Sequence, residues 1–135
     1  MSEDLLTSVL AELNATSADI EACAVLSTDG LMIASMLPQG LDPDRVGAMG
    51  AAMLSLGDRT AAELSRGDLD QVMIKGLRGY VLMTHAGSEA VLTVLATPQA
   101  KLGLIFLDAK RAAEQVAGLL SPVPGGVPGT VAAFG

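Results

Sequence analysis

Apolar positions Leu5, Leu6, Val9, Leu10 and Leu13 recur at helical spacing and predict a first amphipathic helix over 3–15. Ser2 is its candidate cap, and Glu3 and Asp4 lie at the favourable end of the helix dipole. The period then shortens to two. In "LSTDGLMIAS" (26–35), Ala22, Ala24 and Leu26 alternate before an Asp-Gly pair, and Met32 and Ala34 alternate after it. This predicts a hairpin with strands near 20–27 and 31–36, closed by a two-residue type I′ turn in which Asp29 and Gly30 both take φ > 0. "LPQGLDPD" breaks the chain and starts a second helix, with Asp42 as cap and Pro43 at the first helical position, running to about Ser65.

Period two returns at Leu69, with Gln71, Met73 and Lys75 on one side and Val72 and Ile74 on the other. "KGLRGY" turns into a strand over Tyr80–His85, "AGSE" turns again, and "AVLTVLA" at 90–96 is apolar enough for a central strand. Leu102, Ile105, Phe106, Ala109, Ala112, Ala113, Val116 and Leu120 then mark a final helix. The expected class is α+β in the order α-β-β-α-β-β-β-α.

At 135 residues the chain is the size of one domain. We assign residues 1–120 to it and 121–135 to a flexible tail, because "SPVPGGVPGTVAAFG" holds three Pro and four Gly and too little apolar content to fold alone. Only Val131 and Phe134 offer anything to pack into a groove. Hydrophobic residues make up 50% and aromatics 2%, with seven Met and no Trp, so the core must be small-grained and aliphatic. The net charge of −7 and the single adjacent basic pair, Lys110-Arg111, leave no stripe for phosphate backbones, which excludes nucleic acid as a partner class. The lone Cys23 excludes an internal disulfide and fits a reducing compartment, and it reads as a buried apolar residue. The acidic N-terminus carries no export signal, and no run approaches the roughly 20 apolar residues of a membrane span. A cytoplasmic protein is expected.

Candidate chemistry is sparse. One histidine, His85, cannot build a multi-His metal site, and one Cys with one His cannot build a zinc cluster. "GLRG" at 76–79 is too short for a phosphate-binding loop and precedes a strand rather than a helix. Asp42/Asp44 and Asp68/Asp70 flank caps and turns, where acids are expected on structural grounds. No catalytic residue, cofactor site or metal site is assigned, and binding rather than catalysis becomes the expected function. An enzymatic alternative would have to gather His85, Tyr80 and Glu89 near the hairpin ends. A PAS-like or profilin-like small-ligand sensor, or a general interaction scaffold, is the other alternative. The sensor requires a substantial internal pocket, which the small aliphatic core argues against.

The second helix is the informative element. Val46, Met49, Met53, Leu56, Thr60 and Leu64 form one stripe, read as packing on the helix's own sheet; Gly47, Gly50, Leu54, Gly57 and Ala61 lie beside it. Each helical Gly costs about 0.8–1 kcal/mol relative to Ala, so something must offset three of them. A partner helix from a second copy approaching over the small-residue stripe would do so. The following strand, with Gln71, Met73 and Lys75, would extend the same interface if it lies at the sheet edge. Arg45, Arg59 and Arg66 on this helix are candidates for contact with a further protein.

The element order, the Asp-Gly hairpin, the small-residue helix, "KGLRGYVLMTHAGSEAVLTVLA" and "LGLIFLDAKRAAEQVAGLL" together resemble the Roadblock/dynein-light-chain family in its bacterial form, over about residues 3–120. The resemblance implies a profilin-like fold: a five-stranded antiparallel sheet, first and last helices on one face and the second helix on the other. It further implies a homodimer, or a pairing with a paralogue, through that helix and the next strand. Such proteins act as non-enzymatic platforms that bind Ras-like small GTPases, modulating their nucleotide cycle, as a GTPase-activating protein does, or their location, and a sensor kinase can belong to the same signalling system. The resemblance carries over no residue as an arginine finger.

Overall fold

In the computed structural model the described residues are 2–120; the assignment of 121–135 as a tail lies outside them. Helix α1 spans Ser2–Thr16, and strands β1 (Ile20–Ser27) and β2 (Met32–Met36) form the first hairpin. Helix α2 spans Pro43–Glu63. Strands β3 (Gln71–Gly76), β4 (Gly79–His85) and β5 (Ala90–Ala96) lead to helix α3 (Leu102–Leu120). The strands form one antiparallel sheet in the order β2-β1-β5-β4-β3, so the most apolar segment, β5, is central and β2 and β3 are the edges.

Strict alternation splits the core into two layers. Leu6, Leu10 and Leu13 of α1 and Ile105, Ala109 and Val116 of α3 pack on Cys23, Val25, Leu82, Leu92 and Val94. The intervening strand residues Leu26, Met83 and Val91 point to the other face, where Leu54 of α2 meets them. The expected architecture is found, with α1 and α3 on one face and α2 on the other.

Both ends of α2 are capped by side chains or backbone that the sequence supplies. Asp42 accepts the Asp44 N–H at 3.0 Å, with Pro43 just inside the helix. At the far end Arg66 N–H reaches Ala61 O at 2.7 Å and Ser65 N–H reaches Ala62 O at 3.1 Å, a Schellman closure with Ser65 at φ +57°.

The first hairpin departs from the expected turn. Gly30 has φ +96°, but Asp29 is not in the left-handed region. Ser27 N–H donates to Leu31 O at 2.8 Å, and Gly30 N–H donates to Ser27 O at 3.0 Å. The loop therefore holds three residues, a form in which only the last takes φ > 0. Ser27 supplies the reason: its hydroxyl donates to the Asp29 carboxylate and accepts the Leu31 N–H at 3.0 Å, fixing the loop from inside. Register shifts by one residue between Val25 and Leu26, so Ile33 bulges from β2.

Candidate functional site

Helix α2 lies on the sheet by its small residues, which reverses the expected assignment of its two stripes. A Cβ on Gly47 would lie 2.6 Å from Gly30 O; one on Gly50 would lie 3.2 Å from Leu26 Cδ1; one on Gly57 would lie 2.8 Å from Val72 Cγ2. Gly47, Gly50 and Leu54 are buried, and Gly57 and Ala61 are half-buried. The close approach inferred from the glycines is real, but the surface approached is the chain's own hairpin turn and sheet. A partner helix is not needed to offset their helix cost.

The stripe of large residues faces outward instead. Met49, Leu56 and Leu64 are 54%, 56% and 64% exposed, while Val46 and Met53 are half-buried along the flank. Beside this ridge β3 is an edge strand exposed on both faces: Met73 is 43% exposed toward the α1/α3 side and Ile74 is 39% exposed toward the α2 side. Gln71 and Lys75 share the Met73 face of that strand, Gln71 being half-buried and Lys75 exposed.

Between the flank of α2 and the sheet lies an open cleft of about 560 Å³, walled by residues such as Leu41, Val46, Met49, Met53, Val81 and Leu95. It is an open cleft at the surface and not an internal pocket, left because a helix seated on glycines does not cover the whole of this sheet face. Thr93 lies on the cleft floor at 4% exposure, and its Oγ1 has no hydrogen-bond partner. The sequence pattern concealed Thr93, since one Thr within "AVLTVLA" fits a central strand.

The candidate cations are dispersed. Arg45, Arg59 and Arg66 are all exposed, and none forms an ion pair among the described residues; Arg66 Nε donates to Leu64 O at 3.1 Å and so helps close α2. His85 Nε2 lies 3.1 Å from Asp58 Oδ1, tying β4 to α2. Tyr80 stands at the opposite end of β4, about 17 Å from His85 at strand rise and on the other face, so the alternative constellation of His85, Tyr80 and Glu89 is not assembled. Cys23 is buried, its Sγ 3.3 Å from Leu10 O, and burial pushes its thiol from the ordinary 9.0 up to about 11. Asp42 is engaged as the α2 cap, and among the described residues no three His, Cys, Asp or Glu side chains gather as metal ligands. No helix among them is long and apolar enough to cross a membrane.

An uncharacterized protein of Methanocaldococcus jannaschii, MJ1340, is 46% identical over 112 residues, covering 83% of this chain and 96% of the relative. Among solved structures, the gliding protein MglB from Thermus thermophilus superposes with a TM-score of 0.78 at 20% identity, covering 87% of this chain and 90% of that one. A Roadblock/LC7 domain from Streptomyces avermitilis gives a TM-score of 0.74 at 24% identity, covering 82% and 92%. The family model for the Roadblock/LC7 domain matches residues 6–96, which takes in all five strands and α2. With the sheet order, the three-helix arrangement and that match in agreement, the chain belongs to the Roadblock/LC7 family.

Proposed function

We propose that this protein is a non-enzymatic homodimeric platform that binds and regulates a Ras-like small GTPase within a signalling system. The observation that carries the reading is the pairing of an apolar outward ridge on α2 with an edge strand exposed on both faces. An isologous contact needs a surface complementary to itself. The ridge meets this requirement: about Met53, Met49 and Leu56 lie at nearly equal spacing on either side, and Val46 and Thr60 lie seven residues away in each direction. Two α2 helices crossing antiparallel at Met53 would set Met49 of one against Leu56 of the other. The free edge of β3, through Gln71, Met73 and Lys75, would then continue the sheet into the second copy.

Family membership and the likeness to proteins named MglB support the GTPase half of the proposal. So does the dispersal of titratable groups, which suits a surface that holds a partner better than one that performs chemistry. Arg45, Arg59 and Arg66, exposed and without ion pairs among the described residues, are the cations available to such a partner. A sensor kinase is a further candidate member of the same system.

Sedimentation velocity on the native chain and on Leu56→Glu tests the dimer. A native dimer that becomes a folded monomer in the variant is expected, and a variant that stays dimeric removes the ridge from the interface. Affinity capture from native lysate with GDP or a non-hydrolysable GTP analogue tests the partner. Enrichment of one small GTPase is expected, and recovery of none in either nucleotide state overturns that half of the proposal.

A further inference from the structure

On the α1/α3 face an open trough of about 270 Å³ runs between α3 and the outer strands. Gln71 and Thr84 form its floor, and Phe106 and Leu107 of α3 form its wall. Phe106 is half-buried and Leu107 is 54% exposed, and Met73, on the same face of β3, carries the apolar surface onward. This is the opposite face from the α2 ridge. The edge of β3 proposed to meet a second copy is its backbone, in the plane of the sheet, so the two surfaces do not compete.

Cations stand at both ends of the trough. Lys110 lines one end. Lys75 and Arg78 stand at the other, where Lys75 pairs with Tyr80 and Tyr80 with Ala96, and Lys101 lies where α3 begins. All four are exposed, and none forms an ion pair among the described residues. They are half of the eight Lys and Arg in a chain with fifteen acids. Along 71–78 and 102–109 the one acid is Asp108, which lies 3.8 Å from Arg111 and faces α1. Asp70 lines the Lys110 end, and Glu114 lies one helical turn past it. Within a net charge of −7, this concentration sets the sign of the occupant as negative.

We propose that the trough is the docking site for an acidic amphipathic helix of another protein. From Gln71 to Lys75 at strand rise is about 13 Å, and so is Lys101 to Lys110 at helix rise, the length of roughly nine helical residues. Apolar side chains at i, i+3 and i+4 would lie on Phe106, Leu107 and Met73. Carboxylates flanking them would meet Lys110 at one end and Lys75 and Arg78 at the other. A small anion reaches one end only and leaves the apolar middle uncovered. A flat bilayer cannot follow a concave surface whose aromatic wall is half-buried. Nothing in this depends on the GTPase reading: the trough selects the chemistry of the docked segment, not the identity of the protein that carries it.

The probe is a peptide of about 15 residues of Leu, Ala and Glu, its leucines at i, i+3, i+4 and i+7, beside a twin with Lys in place of Glu. Each is titrated into the full chain carrying ¹³C-methyl methionine. Met73 reports on the trough, and Met49 and Met53 on the α2 face are controls. We expect a saturable Met73 shift with the acidic peptide alone, its affinity falling about ten-fold from low to high salt. Leu107→Glu should weaken binding about ten-fold and Lys110→Glu about five-fold, with the fold intact because both side chains are exposed. Arg45→Glu on α2 should leave binding unchanged. Equal Met73 shifts with both peptides, shifts that spread to Met49 and Met53, or binding that survives Leu107→Glu overturns the proposal. So does binding to phosphatidylglycerol vesicles that Lys110→Glu abolishes while Met73 ignores the peptide, since the cations then serve a membrane. A chain that binds the acidic peptide yet sediments as a monomer, or captures no GTPase, overturns the earlier reading and leaves this one standing.

Discussion

The carbonyl oxygen of Gly30 stands 2.6 Å from the point that a Cβ on Gly47 would occupy, so the hairpin turn and the first turns of α2 meet backbone to backbone. Gly47→Ala should gain about 1 kcal/mol of helix propensity and lose more by forcing the two backbones apart, since overpacking typically costs about 1–3 kcal/mol. We expect a net loss of about 1–2 kcal/mol in denaturant unfolding. Gly118→Ala in α3, where an added Cβ meets nothing within 4 Å, should instead stabilise by up to about 1 kcal/mol. Equal signs for the two substitutions would show that the contact between Gly30 and Gly47 does not govern the position.

Much of the fold was legible because the chain changes period cleanly. Leu5 to Leu13 and Leu102 to Leu120 repeat at helical spacing, while Val72, Ile74 and "AVLTVLA" do not, and the observed elements start or end within two residues of the expected ones. The site was half legible. A helical wheel shows that α2 has two adjacent apolar stripes but carries no information on which one the sheet receives. Hydrophobicity alone assigns the larger residues inward. The structure shows that distance decides: Gly30 O comes too close to Gly47 for a side chain, Leu26 lies tight against Gly50, and Met49 and Leu56 are displaced outward. Likewise Asp29-Gly30 identified a turn without fixing its length, because the hydrogen bonds of the Ser27 hydroxyl lie outside the pair that signals it.

Ser65 closes α2 in the left-handed region at φ +57°, a conformation that costs a side-chain-bearing residue on the order of 1 kcal/mol and glycine almost nothing. The closure is made by backbone groups, so Ser65→Gly should keep the Arg66 and Ser65 N–H bonds to Ala61 and Ala62 while relieving the strain. The gain is reduced by the extra freedom glycine gives the unfolded chain. A stabilisation of about 0.5 kcal/mol or less in thermal or denaturant unfolding is expected. A loss of stability would mean that the Ser65 side chain packs usefully in the closure.

A polar contact between His85 Nε2 and Asp58 Oδ1 joins α2 to β4 at 3.1 Å, with both side chains partly exposed to solvent. Exposed pairs of this kind contribute about 0–1 kcal/mol, screened further by salt. His85→Ala and Asp58→Asn should each cost less than about 1 kcal/mol, and a double-mutant cycle should return a coupling within the same range. Hydrogen exchange should quicken selectively in the last turns of α2, where the tie is lost. A coupling well above that range would indicate that His85 does more than fasten the helix.

Cys23 gives the protein a pH dependence in alkaline solution. The thiol is fully buried between α1 and the sheet, with Leu10 O at 3.3 Å as its acceptor, and burial lifts it from 9.0 to about 11. Above pH 9 the unfolded chain releases this proton and the folded chain holds it, so ionisation favours unfolding. The contribution is present in full below pH 9.0 and is lost as pH rises toward about 11. The slope is at most about 1.4 kcal/mol per pH unit, giving a total of at most about 3 kcal/mol over two units. The measurement is the difference in unfolding free energy between the native chain and Cys23→Ala at several pH values, which isolates the thiol. The advantage of the native chain should be constant up to pH 9 and then shrink. Labelling by a thiol reagent at neutral pH should proceed only at the rate of opening. A difference that stays flat through pH 11 would mean that the folded thiol ionises as readily as the unfolded one and that water reaches the space between α1 and β1.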